Sequence, residues 1–153
     1  MKAKKALILA VGILVFSALV CHPLWSGFAY DGTKVRPNRL VFDKCKKGKK
    51  FTVDEDVYIK AKNLFHDVDV WVFIVENKLG TWNFGDPIGT DLADGPVTVH
   101  TTTKGKIPCT LIWENPLTAG FYDIVVDANC DGTYNSGDAV FDRIEERGLK
   151  VID

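Results

Sequence analysis

The sequence predicts an all-β protein: a sandwich of two antiparallel sheets with about seven short strands, following an N-terminal signal peptide. Three observations carry that expectation. Several segments of strand length alternate apolar and polar residues or are continuously apolar, with Val, Ile, Phe, Tyr and Trp prominent. Gly, Pro, Asn and Asp clusters separate them at regular intervals. No long run with helical periodicity follows residue 30.

The chain begins with Lys2, Lys4 and Lys5, followed by an apolar or small run from Ala6 to Val20. Gly27 and Ala29 supply small residues at the two positions a signal peptidase reads, so cleavage is expected after Ala29. The run is short for a membrane span, but apolar character resumes at Leu24 and Trp25, which leaves an uncleaved anchor as the alternative. Cys21 is an unsuitable lipid-anchor site because Val20 precedes it where a small residue is wanted. Residues 30–153 form one domain by size. The whole chain carries a net charge of −1, and the three lysines of the leader account for enough of the positive charge that the remainder stands at −4. That balance does not favour a nucleic-acid partner, because no basic surface dominates. The one basic cluster, Lys44 to Lys50, reads as a solvated turn and is soon followed by Asp54-Glu55-Asp56.

In chain order, 30–38 is polar and reads as a linker or edge segment. Strands are expected at 39–43, 57–63, 68–75 and 96–102. Of these, 68–75 ends as a continuous apolar run, the pattern of a central strand buried on both faces. The stretch 76–95 is a long loop rich in Gly, Asp and Asn, too long to be idle in a compact domain. A hairpin is expected from 109–114 and 120–127 about Asn115-Pro116. Residues 139–146 are ambiguous between a short helix and irregular chain, and 149–152 closes as a strand. Trp71 and Trp113, each inside an apolar strand, are core candidates.

Cys45, Cys109 and Cys130 follow the leader. An exported protein can oxidise two of them. In the expected hairpin, however, Cys109 and Cys130 lie beyond disulfide reach, and one explanation is that all three are reduced or buried. No Cys-x-x-Cys supports a zinc site.

The most informative stretch runs from Asp127 to Asp138. Asp127, Asn129, Asp131, Asn135 and Asp138 occupy positions 1, 3, 5, 9 and 12 of a loop whose sixth residue is Gly132. This is the spacing of a calcium loop. A hard cation needs six to eight oxygens, and alternate residues can turn inward to supply them. Thr133 would offer its carbonyl at position 7, Asn135 a side chain or bridging water, and Asp138 the closing carboxylate. A strand rather than a helix precedes the loop, and Asp138 is shorter than the usual glutamate, so binding is expected in the weak extracellular range. The alternative is a polar turn in which Asp and Asn side chains cap backbone amides.

Trp82 and Phe84 in the long loop, flanked by Asp86, Asp91 and Asp94, are a second candidate site. Exposed rings would stack on sugar faces or anchor partners; the alternative is a lid folded over the end of the sandwich. Asp91 and Asp94 are also candidates for a second cation, at an unspecific spacing. His66 and His100 are the histidines after the leader, and pairing either with a cysteine gives only a formal thiol dyad, with no sign of a helix terminus or oxyanion hole. Carboxylate pairs such as Asp67 and Asp69 lack an evident cleft.

Leu117 to Asp127, running into Asn129, Asp131-Gly132 and Tyr134-Asn135, resembles the C-terminal signature of immunoglobulin-like modules in secreted prokaryotic proteins. The resemblance covers about twenty residues and implies an Ig-like sandwich at the cell surface or outside the cell, without enzymatic activity. A Cys-Trp-Cys core is not recognisable. The expected function is a secreted or surface-tethered binding, adhesion or structural module with a Ca²⁺-stabilised C-terminal loop. Its partner would be a surface polysaccharide or a protein, and membrane contact would come only through an N-terminal anchor. The alternative is a carbohydrate-binding module using Trp82 and Phe84.

Overall fold

The computed structural model describes residues 39–42, 46–47, 50–141 and 148–153. The expected signal peptide, the 30–38 linker, Cys45 and most of the ambiguous 139–146 stretch lie outside them. The described residues contain ten strands and no helix: β1 (Arg39–Phe42), β2 (Lys46–Lys47), β3 (Lys50–Thr52), β4 (Val57–Lys62), β5 (Asp69–Glu76), β6 (Val97–His100), β7 (Lys106–Trp113), β8 (Gly120–Asp127), β9 (Ala139–Phe141) and β10 (Leu149–Ile152). Beyond the strands expected from the sequence, β2 and β3 form inside and just after the lysine-rich turn, and β9 takes the first three residues of the ambiguous segment.

The strands make two sheets, ordered β2-β1-β4-β7 and β3-β10-β8-β5-β6. The pairings are antiparallel except β3 with β10, which run parallel with Phe51 opposite Val151. One edge of β8 pairs with β5 along its length, from Tyr122 opposite Glu76 to Asp127 opposite Trp71. Its other edge is shared end to end by β10 at 120–122 and β9 at 124–126.

The expected 109–114/120–127 hairpin does not form. β7 pairs with β4 in the first sheet, whereas β8 lies at the centre of the second. Both edges of β8 are instead taken by β5 on one side and by β10 and β9 on the other, and the strand is buried from Tyr122 to Asp127. The chain crosses between the sheets at a cis Asn115-Pro116 bond, where Asp56 Oδ1 accepts from the Asn115 backbone N–H and side-chain amide.

Alternation on β5 divides its side chains between two cores. Val70, Val72 and Ile74 face the first sheet, joining Val57, Ile59 and Ile107 in the core between the sheets. Phe73 and Val75 point the other way and, with Val125, meet Trp82 and Ile88 from the 77–96 connection. The long loop is therefore a cover over the outer face of the second sheet. Trp71 packs against this outer cluster and Trp113 against the main core; both are half-buried rather than central.

Candidate metal centre

Asp123 and Asp127 lie on the outer face of β8 with Val125 between them, and both are fully buried. Each carboxylate anchors one loop. Asp123 Oδ2 accepts from the Lys78 backbone N–H (3.0 Å) and the Trp82 indole N–H (2.9 Å), fixing the cover. Asp127 Oδ1 accepts from the N–H groups of Asn129 (3.2 Å) and Cys130 (2.7 Å), and Oδ2 from that of Gly132 (2.8 Å). Asp127 thus shapes the turn that follows it. Gly132 takes φ of +75°, which a side chain would disfavour. Gly137 is needed for a second reason: a Cβ there would approach the Phe65 ring to 2.7 Å.

The loop closes on itself at Asp138, whose Oδ1 accepts from Ala128 N–H (2.8 Å) and Oδ2 from Asn135 N–H (2.5 Å). Between these ends, Asp131 Oδ2 accepts from the side-chain amides of Asn129 (2.8 Å) and Asn135 (2.9 Å), while its Oδ1 accepts from Thr133 N–H. The Asn135 amide nitrogen also donates to the Thr133 carbonyl (3.0 Å). The six residues singled out from the sequence are therefore gathered into one hydrogen-bonded unit.

Its electrostatics are those of crowded carboxylates. Burial pushes Asp138 up from 3.8 to about 7, with the negative charges of Asp127 and Asp131 adding to the effect against the pull of the Ala128 and Asn135 amides. Burial likewise raises Asp127, and the Asp131 charge reinforces it.

Do these residues fit a cation? A carboxylate has about four lone-pair sites. By that count Asp131 retains one and Asp138 two, whereas Asp127, which the Asp131 backbone N–H also serves, retains none. Asn129 Oδ1 is buried without a hydrogen-bond partner among the described residues. The amide nitrogens of Asn129 and Asn135 put partial positive charge against Asp131, and the latter also against the Thr133 carbonyl. Rotating both amides would replace those donors by oxygens. The donor set is all oxygen, as Ca²⁺ prefers, but in this arrangement no three of the acidic, histidine or cysteine side chains among the described residues converge to hold an ion, and the same side chains cap amides as a polar turn would.

The long loop docks on this unit. Tyr134 N–H donates to Asp86 O and Gly85 N–H to Tyr134 O, and Ile88 N–H donates to Gly132 O. The Tyr134 ring meets Trp82 edge-on at 5.6 Å and Phe84 at 5.7 Å. Trp82 is only 8 % exposed, and Lys78 Nζ sits 4.9 Å from its ring centre. Its burial fits the lid alternative for Trp82 rather than an exposed platform for a sugar. Phe84 is 70 % exposed. Asp91 and Asp94 also part company. Asp91 accepts from the N–H groups of Ile74, Ala93 and Gly95, whereas Asp94 is exposed.

Cys109 and Cys130 are both disulfide-bonded. Neither is a reduced thiol, and the distance argument that rested on the hairpin falls with it. His100 stands opposite Asp69 in the β5–β6 pair. Its Nδ1 lies 2.8 Å from Asp69 Oδ1 and its Nε2 3.2 Å from Asp67 Oδ1. These contacts, Asp69 first, raise its affinity for a proton above the usual 6.5. The stability this adds is present below 6.5 and is lost as pH rises through the raised folded value. An NMR titration of the ring protons is expected to give a His100 midpoint above 6.5 that falls in Asp69→Asn; a midpoint at or below 6.5 would contradict the pairing.

Sequence reasoning missed Asp123. The available signal was its place inside a strand buried on both faces, where a carboxylate must meet donors. Fold and loop together define a two-sheet all-β domain with an acidic, hydrogen-bonded turn at one end. No protein-family model, curated protein or solved structure matched the chain.

Proposed function

We propose that this chain is a non-enzymatic, exported binding, adhesion or structural module of the Ig-like sandwich type, whose 127–138 loop is held by calcium. The observation that carries the metal reading is the arrangement at Asp131. Two side-chain amide nitrogens occupy the space between carboxylate and carbonyl oxygens at the spacing of a calcium loop. Calcium would relieve the repulsion among Asp127, Asp131 and Asp138 and stiffen the loop, and through Tyr134 the cover that carries Phe84. The two-sheet architecture supports the sandwich type, and the disulfide-bonded cysteines support an oxidising compartment. They also argue against a thiol nucleophile at either position. A surface polysaccharide or protein remains the proposed partner class. The carbohydrate-binding alternative now rests on Phe84, the exposed ring.

The test is a thermal melt in calcium and in chelator, with Asp131→Ala as control because Asp131 is exposed and its loss should leave the fold intact. Calcium at 100 times its dissociation constant should add about 2.7 kcal/mol. That is a rise of several degrees, absent from the variant. Identical melts at millimolar calcium would reduce the loop to a polar turn.

A further inference from the structure

β6 and β7 are the terminal strands of their sheets on the same side of the sandwich. They are consecutive in the chain, joined by a tight turn in which Thr102 N–H donates to Lys106 O and Gly105 N–H to Thr102 O. At that turn the two strands are close. Away from it they diverge, because each follows its own sheet and packed sheets lie about 10 Å apart. The far ends, Val97 on one side and Trp113 on the other, therefore open into a groove of about 490 Å³. Its lining is mixed, with Leu92, Val97, Leu111 and Trp113 beside the polar Asn115 and Thr118. Its only ionisable lining residues among those described are Asp94 and Glu114, and both are exposed.

We infer that this groove is a binding site for an extended peptide segment of a partner protein bearing lysine or arginine. Charge complementarity selects the cation: both charged walls are acidic, and a Lys or Arg stem can lie along Val97, Leu111 and Trp113 while its head meets a carboxylate. The strand edges select an extended chain over a compact ligand. Among the described residues neither β6 nor β7 has a second strand neighbour, and such edges accept an added strand through main-chain hydrogen bonds. Pro108 lacks an N–H and blunts β7 near the turn, which leaves the 110–113 half beside the groove as the free edge. The site is separate from the calcium-type loop, so it stands whether or not that loop takes a metal.

The test uses the purified protein and a fluorescein-labelled heptapeptide of alternating lysine and valine, with a glutamate-valine peptide and n-hexylamine for comparison. Fluorescence polarisation should show saturable binding of the lysine peptide alone. Asp94→Asn/Glu114→Gln should weaken it at least tenfold while melting like the parent, and Asp131→Ala should leave it unchanged. Backbone amide shifts should concentrate at 91–97 and 110–116. The inference is overturned by absent saturation, equal binding of the glutamate peptide, displacement of the peptide by n-hexylamine at equal concentration, wild-type affinity in the double variant, or sedimentation showing the groove closed by a second copy of this chain.

Discussion

Replacing Asp127 by alanine is expected to lower stability by about 3–5 kcal/mol and the melting temperature by roughly 10–20 °C, with or without calcium. The carboxylate is fully buried and accepts the backbone N–H groups of Asn129, Cys130 and Gly132. Alanine leaves all three donors without their acceptor. Each such loss is worth about 1–3 kcal/mol where water cannot substitute. Three independent losses would set the upper end, but a turn that opens recovers part of this by hydration, which places the estimate between one and three full penalties. Asp127→Asn should fall in between, since its amide oxygen can serve the Asn129 and Cys130 donors while its NH₂ opposes that of Gly132. The damage should also spread to the cover, because Ile88 N–H bonds Gly132 O and Tyr134 supports both Trp82 and Phe84. Differential scanning calorimetry of the three proteins in chelator checks the order; an alanine variant melting within about 2 °C of the parent would show that Asp127 does not hold the turn.

That role was half legible in the sequence. The spacing from Asp127 to Asp138 depends only on local chain geometry, so position 6 could be read as a glycine turn and the polar residues as one group. The strands were legible for the same local reason, since alternation at 57–62 and continuous apolar character at 70–75 report burial directly. What alternation cannot report is which apolar face meets which neighbour. Phe73 and Val75 look like members of one core with Ile74, yet they face the long loop rather than the opposite sheet. Trp82 was ambiguous because an aromatic ring in a polar loop fits a ligand platform as well as a lid. The decision lies with Asp123, forty-one residues away, which receives its indole N–H. The separation of β7 from β8 was illegible for a related reason. A short Asn-Pro connection suits a hairpin locally, and the edges of β8 are decided by non-local pairing with β5, β9 and β10.

Asp138 should make the metal-free protein lose stability as pH rises. Its folded value is about 7, against 3.8 for the free side chain. Between those values the native state keeps a proton that the unfolded chain has released, so the contribution of Asp138 is greatest below about 4, falls towards 7 and levels off above it. The slope can reach about 1.4 kcal/mol per pH unit, or several degrees of melting temperature. Asp127 moves in the same direction. So does His100, and measuring in a His100→Ala background removes that contribution. Asp138→Asn should flatten the curve. Calcium should act in the opposite sense, because it must displace the proton: the melting-temperature rise at a fixed millimolar calcium should be larger at pH 8 than at pH 5.5. The two halves of the prediction are separable. A falling metal-free curve with no calcium response would mean that the buried carboxylates only shape the turn. A flat curve that calcium nevertheless raises would mean that an ion binds without relieving the crowding around Asp138. Only a falling curve that calcium lifts most at high pH joins the two, with the charge that destabilises the empty loop being the charge that holds the ion.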